Sequence, residues 1–203
     1  MQEMAGGRAP SWLTHSLYDE ARSVLSPEAL LLPDHVLEFI DRHAVTHGVY
    51  GWWFDHGLPL VPRDGCIERD GMRLLYVGIA PSKDRSIKPG TLSPLRRRFQ
   101  RDHLRRVRGS TLRKSLAALL RNELGLDFRR DKGGKVGMDR CYEERLSAWI
   151  NQHATISITQ NDEPWKLEGE LVRQGPPLPL NTDMSDHPFK STLKEMRRAL
   201  GKS

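Results

Sequence analysis

Three short runs of β-branched and aromatic residues frame what this chain can become: 47–54 (HGVYGWWF), 73–79 (RLLYVGI) and 154–159 (ATISIT). Each is shorter than an ordinary helix and made of side chains that suit a pleated, half-buried surface, so each reads as a strand. Around them the apolar residues recur at helical spacing. Asp34 opens a helix through Val36, Leu37, Phe39 and Ile40 that ends near His43. A basic helix covers roughly 94–107, Gly109 ends it, and Ser110 caps a second helix over 111–123 with Leu112, Leu116, Leu119 and Leu120 on one face. Glu143 to Gln152, Glu163 to Gln174 and about 189–200 read as three more helices. This order predicts an α+β fold, a small, mainly antiparallel three-stranded sheet with helices packed on both sides.

The connections carry their own signals. The first 25 residues, with Trp12, Leu13 and Leu17, read as an arm or short helix packed on the domain, and Ser26-Pro27 predicts another turn or two of helix before Pro33. Residues 55–71 hold Gly57, Pro59, Pro62, Asp64-Gly65 and Asp70-Gly71 and read as a long hairpin excursion. Residues 125–137 read as a Lys/Gly-rich loop. The expected division is an N-terminal arm and helices over 1–43 and a main domain over 44–203 that ends in the 189–200 helix.

With 203 residues, 37% of them apolar, the chain has material for a real core. No apolar run approaches the ~18–20 residues of a membrane span, and Met1 to Pro10 lacks the cationic start and apolar stretch of a secretory signal, so a cytoplasmic protein is expected. Cys66 and Cys141 are far apart and form no C-x-x-C, which excludes a disulfide framework and a four-cysteine zinc site.

The net charge of +6 is unevenly spread. Between Lys83 and Lys114 stand twelve lysines and arginines against Asp84 and Asp102, a net +10, which leaves −4 for the rest of the chain. Cations gathered on one segment suit a polyanion, because each neutralised phosphate releases condensed counterions. A nucleic-acid partner is therefore favoured over a merely solvated helix face, with DNA ahead of RNA. Arg97, Arg101, Arg105, Arg106 and Arg113 are the candidate contacts, and Ser110 opens a helix whose N–H groups either grip a phosphate or are simply capped.

Candidate chemistry clusters in a few phrases. Gly48-Val49-Tyr50 lies on the first strand and Tyr76-Val77-Gly78 on the second, so two phenols can converge while Gly78 leaves room for a phosphate near the backbone. The arginine-rich helix that follows offers planar cations suited to phosphate oxygens. Further on, E-G-E-L-V carries Glu168 in a helix, thirteen residues before Asn181 in P-L-P-L-N. Asp183, Asp186 and His187 read as a polar turn before Pro188 or as metal ligands. His43, His47 and His153 read as structural or surface histidines, and Trp52 and Trp53 as core residues that, if exposed, could stack a base.

Taken together these phrases resemble the GIY-YIG nuclease superfamily over roughly residues 47 to 183. GVY and YVG match its two-part signature, Leu95-Arg96-Arg97-Arg98-Phe99 looks like its arginine helix, and E-x-x-L-V followed by P-x-P-L-N looks like its glutamate helix and asparagine. The resemblance implies a phosphodiester hydrolase. Tyr50 is similar to the tyrosine that activates the attacking water, Tyr76 to its partner, and Arg98 to the arginine that stabilises the transition state. Glu168 is similar to the lone carboxylate on a divalent metal, Mg²⁺ or Mn²⁺, and Asn181 to the residue that orients the end of the site. The spacing from Tyr50 to Tyr76 implies an insertion at about 55–72.

Several alternatives stay open. Arg97 rivals Arg98. The family's His or Tyr stands four positions after the arginine, but here that position is Asp102 and His103 comes one later. Five positions on an ideal helix are ~500°, a different face, so either the helix is distorted or His103 has another task. Glu170 competes with Glu168 from ~200° around the helix. The expected function is a metal-dependent DNA endonuclease. The alternatives are a nucleic-acid-binding protein on the same fold with little or no catalysis, and a protein whose basic helix meets an acidic partner.

Overall fold

The computed structural model describes residues 15–82 and 93–201, with side chains in the first helix from Glu20 onward. Trp12, Leu13, the Leu17 side chain and the cations Lys83, Arg85 and Lys88 of the basic segment lie outside the described residues.

The sheet has four antiparallel strands, in the spatial order β2 (Glu68–Arg69), β3 (Met72–Ala80), β1 (Gly48–Phe54) and β6 (Ala154–Gln160). β1 runs up the middle between β3 and β6. All of its residues are buried, because both faces of the sheet are covered, and that is why its sequence reads as a continuous apolar run. Its side chains divide strictly by parity. Tyr50, Trp52 and Phe54 face a large core with Leu75, Tyr76 and Ala80, while Val49 and Trp53 join Leu74 and Val77 in a smaller core on the other side. Leu75 is an extra residue in the β1–β3 pairing, since Trp52 opposes Tyr76 and Trp53 opposes Leu74. This bulge lets Leu74 and Tyr76, two positions apart, face opposite layers.

The smaller core is closed by Ala21 and Val24 of α1 (His15–Leu25) and by Leu167 and Leu171 of α6 (Pro164–Gln174). The larger core is closed by α2 (Val36–Arg42), α3 (Pro94–Arg97), α4 (Thr111–Leu119), α5 (Arg140–His153) and α7 (Phe189–Ala199). Helices therefore pack on both sides of an antiparallel sheet, the α+β architecture expected from the sequence.

Several expectations are corrected. The excursion at 55–71 ends in a hairpin that adds a fourth strand, β2 (Glu68–Arg69), through a two-residue Asp70-Gly71 turn with φ of 50° and 75°. Ser26-Pro27 starts no helix. Instead Leu31 pairs its N–H and C=O with Ile156 at 2.8 Å each, a backbone partner that the edge of β6 would otherwise lack. The helix expected over 111–123 stops at Leu119, and the loop at 125–137 contains a small ribbon, β4 (Arg129–Arg130) with β5 (Val136–Gly137). Trp52 and Trp53 are 1% and 0% exposed, so neither can stack a base. The basic helix over 94–107 is α-helical only to Arg97. It continues as a π-helical turn over Arg98–His103 and, after a break, as a 3₁₀ turn at Val107–Gly109.

Candidate active site

The site begins where the paired strands β1 and β3 face that helix. Tyr50 sits directly opposite Gly78, and a Cβ on Gly78 would lie 2.7 Å from the Tyr50 hydroxyl. The glycine thus makes room for the phenol ring, not, as expected, for a phosphate. Tyr76 lies diagonally across the strand pair on the same face, within the reach of a long side chain.

Ser93 caps α3 by accepting the Arg96 N–H at 3.1 Å, and Pro94 sits at the helix start, so the helix is aimed at this face. The widened turn then settles the spacing question. The Leu104 N–H reaches back five residues to the Phe99 carbonyl at 3.0 Å, and a turn that closes on the fifth residue brings His103 under Arg98. Arg98 Nε donates to the Tyr50 hydroxyl at 3.2 Å, and His103 Nε2 shares a 2.7 Å hydrogen bond with the same oxygen. Arg98 also pairs with Asp102 at 3.0 Å, four residues on.

Burial governs the electrostatics. Desolvation pushes the Tyr50 phenol up to about 12 even though Arg98 opposes the shift. Tyr76 is raised as well, chiefly by burial and then by Tyr50, with Arg98 again pulling the other way. His103 is driven well below its ordinary range by burial and by the guanidinium groups of Arg98 and Arg113, so it is neutral. Arg98 is held charged by the phenols it touches.

A pocket of about 340 Å³ opens beside this cluster, with Tyr76, Arg97, Arg98, Asp102, Glu168 and Asn181 in its wall. Tyr76 keeps 7% of its surface exposed, whereas Tyr50 keeps none and lies behind Arg98. Glu168, presented by α6, has its carboxyl raised to about 7 by burial, with Asp183 adding to the rise and Arg98 opposing it. Glu170 is absent from the wall. Asn181 is clamped to the free edge of β3, its Oδ1 accepting the Val77 N–H at 2.9 Å and its Nδ2 donating to the Val77 carbonyl at 2.8 Å.

The arrangement matches a known pattern: the family model of the GIY-YIG catalytic domain matches residues 48–199. The chain belongs to the GIY-YIG family. Neither a search of curated proteins nor one of solved structures returns a match. Membership implies a nuclease-type activity on nucleic acid. Among the described residues, no helix is long and apolar enough to cross a membrane.

In this GIY-YIG domain the remaining candidates divide clearly. Arg97 reaches the pocket wall but makes no ion pair among the described residues, whereas Arg98 engages Tyr50. Arg101, Arg105 and Arg106 are exposed. Arg113, expected at the nucleic-acid face, is corrected to an interior position. Its side chain is 1% exposed and donates to the Glu143 carboxylate at 3.0 Å, the Ser147 hydroxyl at 2.8 Å and the His103 carbonyl at 3.2 Å. Ser110 is likewise fully buried. It caps α4 by accepting the Arg113 N–H at 3.0 Å and bonds His103 Nδ1 at 3.0 Å, so its hydroxyl serves the histidine rather than a phosphate. His47 and His153 pair with Asp162 and Asp55.

Three further residues stand near the pocket: the sequence reads Asp183 as part of a polar turn or a metal-ligand cluster, marks Asp102 only as the position where a His or Tyr is expected, and gives Arg197 no role. Asp183 faces the pocket and Asp102 holds Arg98, while Arg197 of α7 donates to the Thr182 hydroxyl at 3.2 Å. Asp183 had a signal, standing two positions after Asn181 in the same loop. Arg197 had none, because its approach depends on how α7 packs.

Proposed function

We propose that this GIY-YIG protein is a divalent-metal-dependent endonuclease that hydrolyses phosphodiester bonds in DNA. The observation that carries the reading is Arg98, which joins the Tyr50 hydroxyl to Asp102 at the wall of a pocket that also presents Tyr76 and Glu168. All the groups the chemistry needs are retained, which favours catalysis over binding alone.

The donor set suits a hard cation. Glu168 and Asp183 bring two carboxylates toward one pocket, and burying the charge of Glu168 is unfavourable unless a cation relieves it. Among the described residues no three His, Cys, Asp or Glu side chains converge, which fits Mg²⁺ or Mn²⁺, ions that take one or two carboxylates and fill their remaining positions with water and phosphate oxygens. Glu168 would hold the ion, which when bound supplies positive charge to the phosphate and leaving oxygen.

The protein's own groups manage the proton. Tyr76, facing the pocket, orients the attacking water. Arg98 turns its guanidinium to the phosphate oxygens, which uncovers the Tyr50 phenol. With Nδ1–H of His103 donating to Ser110, the neutral Nε2 accepts the Tyr50 O–H as a hydrogen bond and fixes the direction in which the phenol oxygen presents its lone pair. Burial and the guanidinium groups of Arg98 and Arg113 oppose an imidazolium here, so His103 orients the phenol, while the positive charge of Arg98 and of a bound cation lowers the cost of ionising it. Asn181 holds β3, and with it Tyr76, in register.

Incubation of supercoiled plasmid with the protein and Mg²⁺ or Mn²⁺ tests the reading. Nicked or linear product, absent with EDTA and absent for Glu168→Gln, is the expected result. Intact plasmid under all metals, together with intact linear and branched substrates, would overturn it.

A further inference from the structure

Beyond His103 the chain leaves the pocket and enters a second concavity, a cleft of about 800 Å³ between residues 104–108 and the β4–β5 ribbon. Arg105, Arg106 and Arg108 stand on one wall and Arg129, Arg130 and Lys135 on the other. The acids in this cleft are already engaged. Asp131 pairs with Arg108 and accepts the Gly133 and Lys135 N–H groups at 2.9 Å each. Glu143 is held by Arg113 and the Val107 N–H, and Glu144 by Arg140. Arg105, Arg106 and Lys135 are exposed and make no ion pair among the described residues, so the charge left over is positive. Lys132 adds another exposed cation at the ribbon tip.

The ribbon is a fixed wall rather than a loose charged loop. Arg130 donates to the Leu200 carbonyl at 2.7 Å and to the Gly134 carbonyl at 2.9 Å, tying the ribbon to the end of α7 and to its own turn. Cations on a braced element lose less freedom on binding than cations on a free segment. None of the described residues lining the cleft is aromatic, so they offer no stacking platform of the kind by which proteins hold single strands.

We propose that this cleft binds the sugar–phosphate backbone of duplex DNA next to the phosphate being cleaved, with the β4–β5 ribbon as its second wall. The assignment rests on the nuclease reading and adds where the flanking substrate lies. The turn at residues 102–104 joins the two surfaces, because Asp102 lines the catalytic pocket and Leu104 the cleft.

The test is fluorescence anisotropy with a labelled duplex of about 30 base pairs, measured in EDTA over a range of salt, where no turnover occurs. The variant is Lys132→Ala/Lys135→Ala, with Lys166→Ala/Lys194→Ala as a control that removes the same charge elsewhere. For the ribbon variant the duplex affinity should fall and the plot of log affinity against log salt should flatten by about one unit per lost contact, about two in all, while the control keeps the wild-type slope. Equal slopes for the ribbon variant and wild type, equal flattening in the control, or tighter binding of a single strand than of the duplex would each overturn the proposal. A wild type that cleaves nothing would instead count against the nuclease reading and leave this binding result standing.

Discussion

The Tyr50 hydroxyl and His103 Nε2 share a 2.7 Å hydrogen bond across 53 positions of sequence. The histidine is fixed from behind as well, by Ser110 at its other ring nitrogen and by Arg113 at its carbonyl. A buried, neutral imidazole held in this way is an acceptor aimed at one phenol. The arrangement exists only because the helix closes on the fifth residue after Arg98 rather than the fourth.

A deletion tests that geometry. Removing Arg101, an exposed residue of the wide turn, leaves the histidine four positions after Arg98, the spacing at which an α-helix stacks side chains. The deletion variant should keep native circular dichroism and cleave within about tenfold of wild type, whereas His103→Ala should lower kcat by about 10²-fold or more. A folded deletion variant as inactive as His103→Ala would mean the widened turn does more than place the histidine.

Glu168 carries the sharpest substitution. Glu168→Gln keeps the size and hydrogen bonding but not the charge, so cleavage should drop by about 10³-fold or more while DNA binding persists. Glu170→Gln, outside the pocket wall, should cleave normally. Single-turnover rates for the pair decide it, and the reverse pattern would move the metal to Glu170.

The raised Glu168 carboxyl also predicts a pH dependence. A metal binds the ionised form, so below a pH of about 7 the apparent Mg²⁺ affinity should fall as pH falls, about tenfold per unit, by calorimetric titration. Without metal the sign for stability is opposite. Between 4.5 and about 7 the folded carboxyl keeps a proton that the unfolded one has released, so stability declines as pH rises through that window and levels off above it. The loss amounts to up to about 3 kcal/mol, and Glu168→Gln removes it, so at pH 8 in EDTA the variant should melt above wild type. An unchanged Tm would show that Glu168 is not buried as described.

Arg113→Ala separates folding from binding. Truncation strands the Glu143 carboxylate, 13% exposed, without its cation and releases the His103 carbonyl, which should cost about 3–5 kcal/mol in denaturant unfolding. Arg105→Ala, exposed and without an ion pair among the described residues, should leave stability within about 0.5 kcal/mol and weaken DNA binding instead. If Arg113→Ala is as stable as Arg105→Ala, the interior ion pair is not holding the helices together.

The strands were legible because β1 is covered on both faces, and that coverage writes a continuous apolar run into Val49–Phe54. The two phenols and Glu168 were legible through short phrases at recognisable places. Arg113 was not, because a guanidinium inside a cationic run looks solvated until Glu143, thirty positions on, is brought to it by α5. Gly78 looked like room for a ligand because the sequence does not say which ring lies across the strand. The β4–β5 ribbon has two residues per strand and leaves no alternation to read. The wide turn was visible only as a conflict between Asp102 and His103, since the helix ends at His103, too soon for a shifted apolar pattern to show.

That turn has a consequence for how such chains change over time. A rigid helix that gains a residue swings everything after it by about 100°. A helix that swells locally absorbs the newcomer, and the segments on either side keep their phase. The gap between Arg98 and His103 can therefore exceed that of a regular helix by one while both side chains still reach the Tyr50 hydroxyl. A pattern search for further members should let that gap float between four and five, or it will pass over chains whose chemistry is intact.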